Sequence, residues 1–485
     1  MHDEKNIVKS DVIVLGAGLA GLASAFGVLG RGQKPVVIEK EAIVGGMSCS
    51  IRRDGFVFDL GGHRFLPHNI KTTEYVRALF KDKTLLLRNR KSQIYLGGKF
   101  LQYPPEAIDL LRRLGIATSL KCAFGGLCAR IRQGILKEPE NTLKDWLMHR
   151  FGQDLYDIYF GPYSAKLWGV DPDQISSEWA PQRVSVSSIG VVIRNLMPAK
   201  GRAIKTYARK FLYPVGGIGR IPELMAGQIG GMGSKVFLNH CASKITRHEN
   251  GYMVEAEDGR AGRRLFFAKK IISTMPLSEF VMMLEPRVPP EVLNAAGSLR
   301  FRSVRFLNLM LNTDEVTKNT WLYVPEDKFT FFRIQEFNKW CPKNAPRGKV
   351  GLSLEVACQK GDRLWSMPDE ELLDICLMDL KKMRVDLEKK VIGYFSTYAE
   401  HAYPFYSLDY RRHLQKIYRF MESFDSIVVT GRQGLFRYLN MDRALEVGFE
   451  AAEALYDPAR RLHFLRDKED RKYLESNLHL SKKKR

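Results

Sequence analysis

The chain has 485 residues and a formal charge of +22, from 76 Lys and Arg against 54 Asp and Glu. That length predicts two or three domains with sizeable cores, and 45% hydrophobic against 27% charged residues excludes a disordered or fibrous chain. No apolar run reaches the ~18 residues of a membrane-spanning helix. Seven scattered cysteines with no CxxC pair point away from a zinc site or disulfide framework and towards reduced thiols. The opening Met1-His2-Asp3-Glu4-Lys5-Asn6 lacks the apolar stretch of a secretory leader, so a cytoplasmic location is expected.

In chain order, Val12 to Leu15 read as an apolar strand. Gly16-Ala17-Gly18-Leu19-Ala20-Gly21 read as a glycine turn opening a helix, and Val36-Val37-Ile38 as a second strand ending at Glu39. This order suits a dinucleotide. Gly16 permits the turn, Gly18 lets backbone N–H groups approach a pyrophosphate, and Gly21 allows the helix to pack on the strand. Glu39 falls where a carboxylate can accept from a ribose. Gly45-Gly46 follows, then a short strand from Phe56 to Asp59 delivering the Gly61-Gly62-His63 loop, where backbone must come close to something flat or bulky.

Residues 105 to 210 read as mostly helical, with Thr142 and Asp145 at a helix start. From Gly216 the pattern predicts short strands at Lys235–Leu238, Gly251–Ala256 and Lys270–Thr274, then longer ones at Phe306–Leu311 and Val350–Val356. A helix is predicted from near Pro368 towards Lys390. The last strand, Ile427–Thr430, leads through Gly431-Arg432 to a helix from about Asp442 to Tyr456. Its Leu445, Gly448, Ala452 and Leu455 form a stripe suited to packing on a sheet.

Positive charge is concentrated in two stretches. Arg194, Lys200, Arg202, Lys205, Arg209 and Lys210 crowd one, and the chain ends Lys482-Lys483-Lys484-Arg485. From Leu110 to Lys137, Arg112, Arg113, Lys121, Arg130 and Arg132 stand among leucines and isoleucines. Such patterning suits either a peripheral contact at the inner face of a membrane or a solvated basic face. No nucleic-acid-binding motif accompanies it.

The N-terminal GxGxxG, Gly45-Gly46, Asp59-Leu60-Gly61-Gly62-His63 and Gly431-Arg432 together resemble the amine-oxidase-like flavoprotein superfamily, across nearly the whole chain. Within it the chain resembles the UDP-galactopyranose mutases. Pro162-Tyr163-Ser164-Ala165-Lys166-Leu167-Trp168 resembles the mutase PYxxKxW segment, and Trp179 through Arg183-Val184 its WxxxRV stretch. Trp321-Leu322-Tyr323-Val324-Pro325-Glu326-Asp327 with Arg333 resembles WLYxPED...R. Tyr403-Pro404 and Tyr438-Leu439-Asn440-Met441-Asp442 complete the set.

The resemblance implies resident FAD, held by Gly16, Gly18, Gly21, Glu39, Gly45, Gly46, Gly61, Gly62, His63, Gly431, Arg432 and Met441. It implies conversion of a diphosphate-linked hexopyranose to its furanose through an adduct at N5 of reduced flavin, with NADH or NADPH as transient reductant. His63, Arg183, Arg333 and Arg432 would be catalytic. Tyr103, Tyr163, Trp168, Tyr323, Tyr403, Tyr438 and Asn440 would bind substrate; arginine forks and phenol O–H groups are the donors a buried diphosphate needs. A true oxidoreductase of the protoporphyrinogen oxidase, amine oxidase or desaturase type is the alternative. The fold expected is α/β: a Rossmann-type FAD-binding domain (1–105, 211–275 and 395–460) interrupted by a substrate domain, helical over 106–210 and sheet-rich over 276–394. A basic tail follows at 461–485. One departure from the mutases concerns the carrier. Tyr103-Pro104 continues with Pro105-Glu106, where mutases place an aromatic and a glutamine on uracil.

Overall fold

The computed structural model describes residues 7–81, 84–103, 113, 115–183, 210–259, 262–285 and 288–461, with backbone alone at 182 and 183. The opening strand, Ile7–Leu15, pairs in parallel with Pro35–Ile38 on one side and with Arg263–Ser273 on the other. Val12, Ile13, Val14 and Leu15 are buried on both faces, as the interior of a parallel sheet requires. Pro35–Ile38 continues in parallel to Lys235–Phe237. Arg263–Ser273 is long enough to serve two partners on one edge. Its first half pairs antiparallel with Gly251–Asp258 and its last residues pair in parallel with Ile427–Val429. His240–His248 and Leu284–Glu285 complete eight strands.

A second sheet has seven strands, in the order Val391–Pro404, Phe301–Leu311, Val350–Cys358, Arg333–Glu336, Trp321–Tyr323, Ser92–Leu96 and Lys99–Gln102. The chain therefore crosses between sheets earlier than the expected boundaries. Two strands from the 1–105 segment edge the second sheet, and most of Val391–Pro404, at the opposite edge, belongs to the 395–460 segment. Lys210–Pro214, where the stretch read as helical ends, pairs antiparallel with Leu85–Asn89.

Two further elements differ from expectation. Arg220–Gly231 is a helix in the stretch read as strands. Its three glycines read as punctuation, yet Pro222 sits in the first turn, where a missing N–H costs nothing. Ile221, Met225 and Ile229 fall on one buried face. The helix begun at Asp369 ends at Lys382 rather than near Lys390, because Arg384 turns to a φ of 63°. The final helix, Met441–Ala454, has its close-packed face on the helix Leu19–Leu29 rather than on a sheet. A side chain at Gly448 would overlap the backbone of Ala20, and one at Gly27 would press on Ala452.

Candidate functional site

Both glycine segments meet at the C-terminal end of the parallel strands. Gly16 lies at φ 98°, where a Cβ would overlap Thr274 Oγ1, and a Cβ on Gly21 would overlap the carbonyl of Gly16. Gly18 and Gly45 form an isolated parallel bridge, and Gly45 N–H donates to Ala17 O at 2.9 Å. A Cβ on Gly46 would lie 3.5 Å from Gly18 Cα. Gly18 precedes the helix Leu19–Leu29 without a side-chain cap, so the first-turn amides are open to an anion. Glu39 is buried, and its carboxylate accepts from Ala17 N–H at 2.6 Å and Glu41 N–H at 3.0 Å. Burial raises its pKa against these hydrogen bonds. Glu39 thereby fixes the glycine turn to the end of the second strand. Gly431, at φ 80°, stands against Ala20 and Thr274. This cradle of open amides and absent Cβ atoms fits a dinucleotide pyrophosphate.

The Gly61–His63 loop is secured from below. Asp59 accepts from Ser50 Oγ and Tyr213 OH, both at 2.6 Å, and from Ile218 N–H at 3.1 Å; Ser50 Oγ in turn accepts from Gly219 N–H. Burial pushes the Asp59 carboxyl up to about 6 despite these donors. His63 Cε1 lies 3.6 Å from where a Gly61 Cβ would be. At the far end of the loop, His68 Nδ1 lies 2.6 Å from Asp442 Oδ2, both side chains buried. That contact ties the loop to the first turn of the final helix. Asn440 begins this helix, its carbonyl accepting from Ala444 N–H, and Met441 is buried beside it.

The predicted aromatics, with Arg333 and Arg432, fall into two groups joined by the helix Gly161–Trp168. Tyr323 stands opposite Arg333 in the second sheet, with Tyr103 5.0 Å and Tyr163 6.0 Å away between ring centroids. Tyr403 lies 6.2 Å from Trp168 and stacks at 18° with Tyr438, 6.0 Å away. The Arg432 guanidinium lies 4.2 Å over Tyr438 and 5.0 Å over Tyr403. Arg333 is clamped from behind: its Nε and Nη2 donate to Glu355 at 2.7 and 2.6 Å. Burial disfavours its charge, but Glu355, Tyr403 and Tyr323 outweigh burial and hold it firmly protonated. Its Nη1 has no partner among the described residues, nor does the buried Trp168 Nε1. Arg183 closes the short helix Ala180–Arg183 after Trp179, which meets Trp168 edge-on at 5.5 Å; the Arg183 side chain lies outside the described residues. So do the tract from 194 to 209, the chain end and Pro104 to Arg112.

Sequence reading gave no role to three supports. Glu355 interrupts the apolar strand Val350–Cys358, and that lone buried carboxylate was the available signal. Gln335 donates to the same carboxylate, and its side chain lies 3.2 Å from where a Gly62 Cβ would be, so it links arginine to loop. Lys166 is a strut. Its Nζ donates to the carbonyls of Val324, Glu326 and Phe331 at 2.7 to 3.0 Å, and burial pulls its pKa down to about 7.

The family model for flavin-containing amine oxidoreductases matches residues 19–455. Protoporphyrinogen oxidase 1 of Arabidopsis thaliana is 21% identical over 417 residues, 78% of this chain and 75% of that protein. The chloroplastic protoporphyrinogen oxidase of Nicotiana tabacum is 20% identical over 413 residues, 77% and 72% respectively. A crystal structure of reduced UDP-galactopyranose mutase superposes with a TM-score of 0.81, covering 96% of this chain and 99% of that one at 21% identity. The chain belongs to the flavin-containing amine oxidoreductase family, has its FAD-binding α/β fold, and is a flavoenzyme whose cofactor is FAD.

Proposed function

We propose that this member of the flavin-containing amine oxidoreductase family is a mutase, converting a diphosphate-linked hexopyranose to its furanose. The observation that carries the reading is a pair of groups: Arg333, opposite Tyr323 and clamped by Glu355, whose other donor Gln335 abuts the Gly62 position, and Arg432 over Tyr403 and Tyr438. An apolar or amine substrate gives two cations and three phenols no role; a diphosphate uses all of them.

The cradle formed by Gly16, Gly18, Gly45 and Gly46 would hold the FAD pyrophosphate, with Glu39 at the ribose. Gly61, Gly62, His63, Gly431, Arg432 and Met441 would hold the ring. Bound and reduced, FAD supplies a nucleophile for the anomeric carbon. The remaining work belongs to the chain. Arg333, immobilised by Glu355, presents its Nη1 edge to one phosphate, and Arg183 is assigned the second. The Tyr323, Tyr403 and Tyr438 phenols donate to the departing oxygens and hold the diphosphate for its return. Tyr103, Tyr163, Trp168 and Asn440 wall the sugar and its carrier. Because Pro105 and Glu106 replace the expected uracil-gripping pair, recognition rests on the diphosphate more than on the base. NADH or NADPH is needed only to bring the flavin to its reduced form.

Turnover tests this. Anaerobic protein reduced with NADPH should interconvert UDP-galactopyranose and UDP-galactofuranose, and oxidised protein should not. A net oxidoreductase is the second reading, favoured by the similarity to protoporphyrinogen oxidases. It requires oxygen or a quinone to be consumed in proportion to product.

A further inference from the structure

Among the described residues, the helix Ile116–Leu136 is partnered on one side only. Its Gly125-Gly126 pair sits against Gly152 of the following helix, Leu143–Leu155. Gly152 there adopts a φ of 78°, and a Cβ on it would come within 2.7 Å of Gly126 N. On the opposite side, Ile116, Leu120, Phe124, Leu127, Ile131 and Ile135 recur every three or four residues. At about 100° per residue they fill an arc of about 100°. All six are exposed, Phe124 by 70% and Ile135 by 73%. A water-soluble surface rarely leaves so continuous an apolar stripe uncovered.

Charge decides what covers it. From Ile116 to Lys137 there is no Asp or Glu, while Lys121, Arg130 and Arg132 rise on the two edges of the stripe. Arg130 lies on one edge and Lys121 and Arg132 on the other. Lys121 and Arg132 reach Asp154 at 2.8 Å and Glu138 at 2.7 Å, through basic side chains 74% and 66% exposed. Pairs so exposed are weak and exchange readily with other anions. A second copy of this chain would bring two basic-edged stripes together, and a paired-helix seam needs opposite charges at those edges. The helix is about 31 Å long, yet no described helix is apolar enough to cross a membrane. An apolar face rimmed with cations is the pattern of a helix lying in a headgroup layer.

We infer that Ile116–Leu136 seats the protein on an anionic phospholipid bilayer, with its stripe among the acyl chains and its basic edges on lipid phosphates. The adjoining Leu143–Leu155 runs directly into Tyr156–Phe160 and the helix Gly161–Trp168, which carries Tyr163 and Trp168. Seating therefore orients the arginine and tyrosine cluster relative to the bilayer. This inference is independent of which reaction the cluster performs.

The test is flotation of the full-length FAD-loaded protein with vesicles of phosphatidylcholine, with and without phosphatidylglycerol. Binding should need the anionic lipid and weaken with salt. Phe124→Ser with Ile131→Ser should reduce it by about tenfold or more, and Arg130→Gln with Arg132→Gln, which leave Lys121 alone on the edges, should lessen its salt dependence. Phe124, Ile131 and Arg132 are exposed and Arg130 is half-buried at the helix surface, so flavin content should stay unchanged in both variants and the melting temperature should change little. Flotation of the serine variant equal to the parent, or no flotation of the parent with phosphatidylglycerol, overturns the inference. So does a dimer, seen by light scattering, that the serine substitutions dissolve.

Discussion

Replacing Arg333 with Met removes a guanidinium that holds Glu355 by two hydrogen bonds, 2.7 and 2.6 Å long. The Glu355 side chain is 0% exposed, so its carboxylate cannot turn to water and, among the described residues, keeps only Gln335 as a side-chain donor. A buried charge stripped of its partner costs about 3–5 kcal/mol. Urea unfolding followed by tryptophan fluorescence should register that loss. Adding Glu355→Gln removes the stranded charge and should return stability to within about 1–2 kcal/mol of the parent. Diphosphate binding should not return. Titration calorimetry with UDP-galactose should show both variants weakened by about 2–5 kcal/mol, because the group facing the phosphate is absent from each. Equal stability of Arg333→Met and the parent would mean that Glu355 is not a desolvated anion. Recovery of ligand affinity in the double variant would make Arg333 purely structural, and the clamp argument would fail.

Gly16→Ala forces a side chain into φ 98° and onto Thr274; at about 1–3 kcal/mol of strain the purified protein should lose its flavin absorbance, and a fully yellow variant would refute the cradle. Gly448→Val drives a branched side chain into the backbone of Ala20 and should lower the melting temperature by the equivalent of about 1–3 kcal/mol, with no change tolerable if the two helices are in contact. Asp59 has a carboxyl held near 6 against 3.8 in the unfolded chain, so between these values the folded state keeps a proton that the unfolded state has released. Stability should therefore fall as pH rises from about 4 to 6, by at most about 3 kcal/mol. Asp59→Asn should flatten that slope, and an unaltered slope would assign it to other groups.

The opening strand–turn–helix and its acid were legible because glycine spacing and strand periodicity are local signals, and the structure brings Gly16, Gly18, Gly45 and Gly46 to one place. The pairing of Tyr323 with Arg333 and the stacking of Tyr403 on Tyr438 join motifs spread over more than a hundred residues, which no local pattern connects. What was hidden is non-local. Glu355 acquires its purpose only when strand pairing sets it opposite Arg333. Arg220–Gly231 was hidden by its own glycines, whose helical cost is offset by burying Ile221, Met225 and Ile229. The strands Ser92–Leu96 and Lys99–Gln102 carry ordinary alternation, which says that they are strands and nothing about which sheet they join. Lys166 was visible within a motif, but its three carbonyl acceptors are supplied from a segment more than 150 residues away.

The central claim concerns electrons as much as sugar. The most direct measurement therefore reduces the protein anaerobically with a known amount of NADPH, adds UDP-galactofuranose in large excess, and counts pyranose formed against NADPH consumed. Many sugars converted per NADPH, with the flavin still reduced at the end, is the predicted result. One electron pair consumed per product, or no conversion while a porphyrinogen or an amine is oxidised, would contradict it.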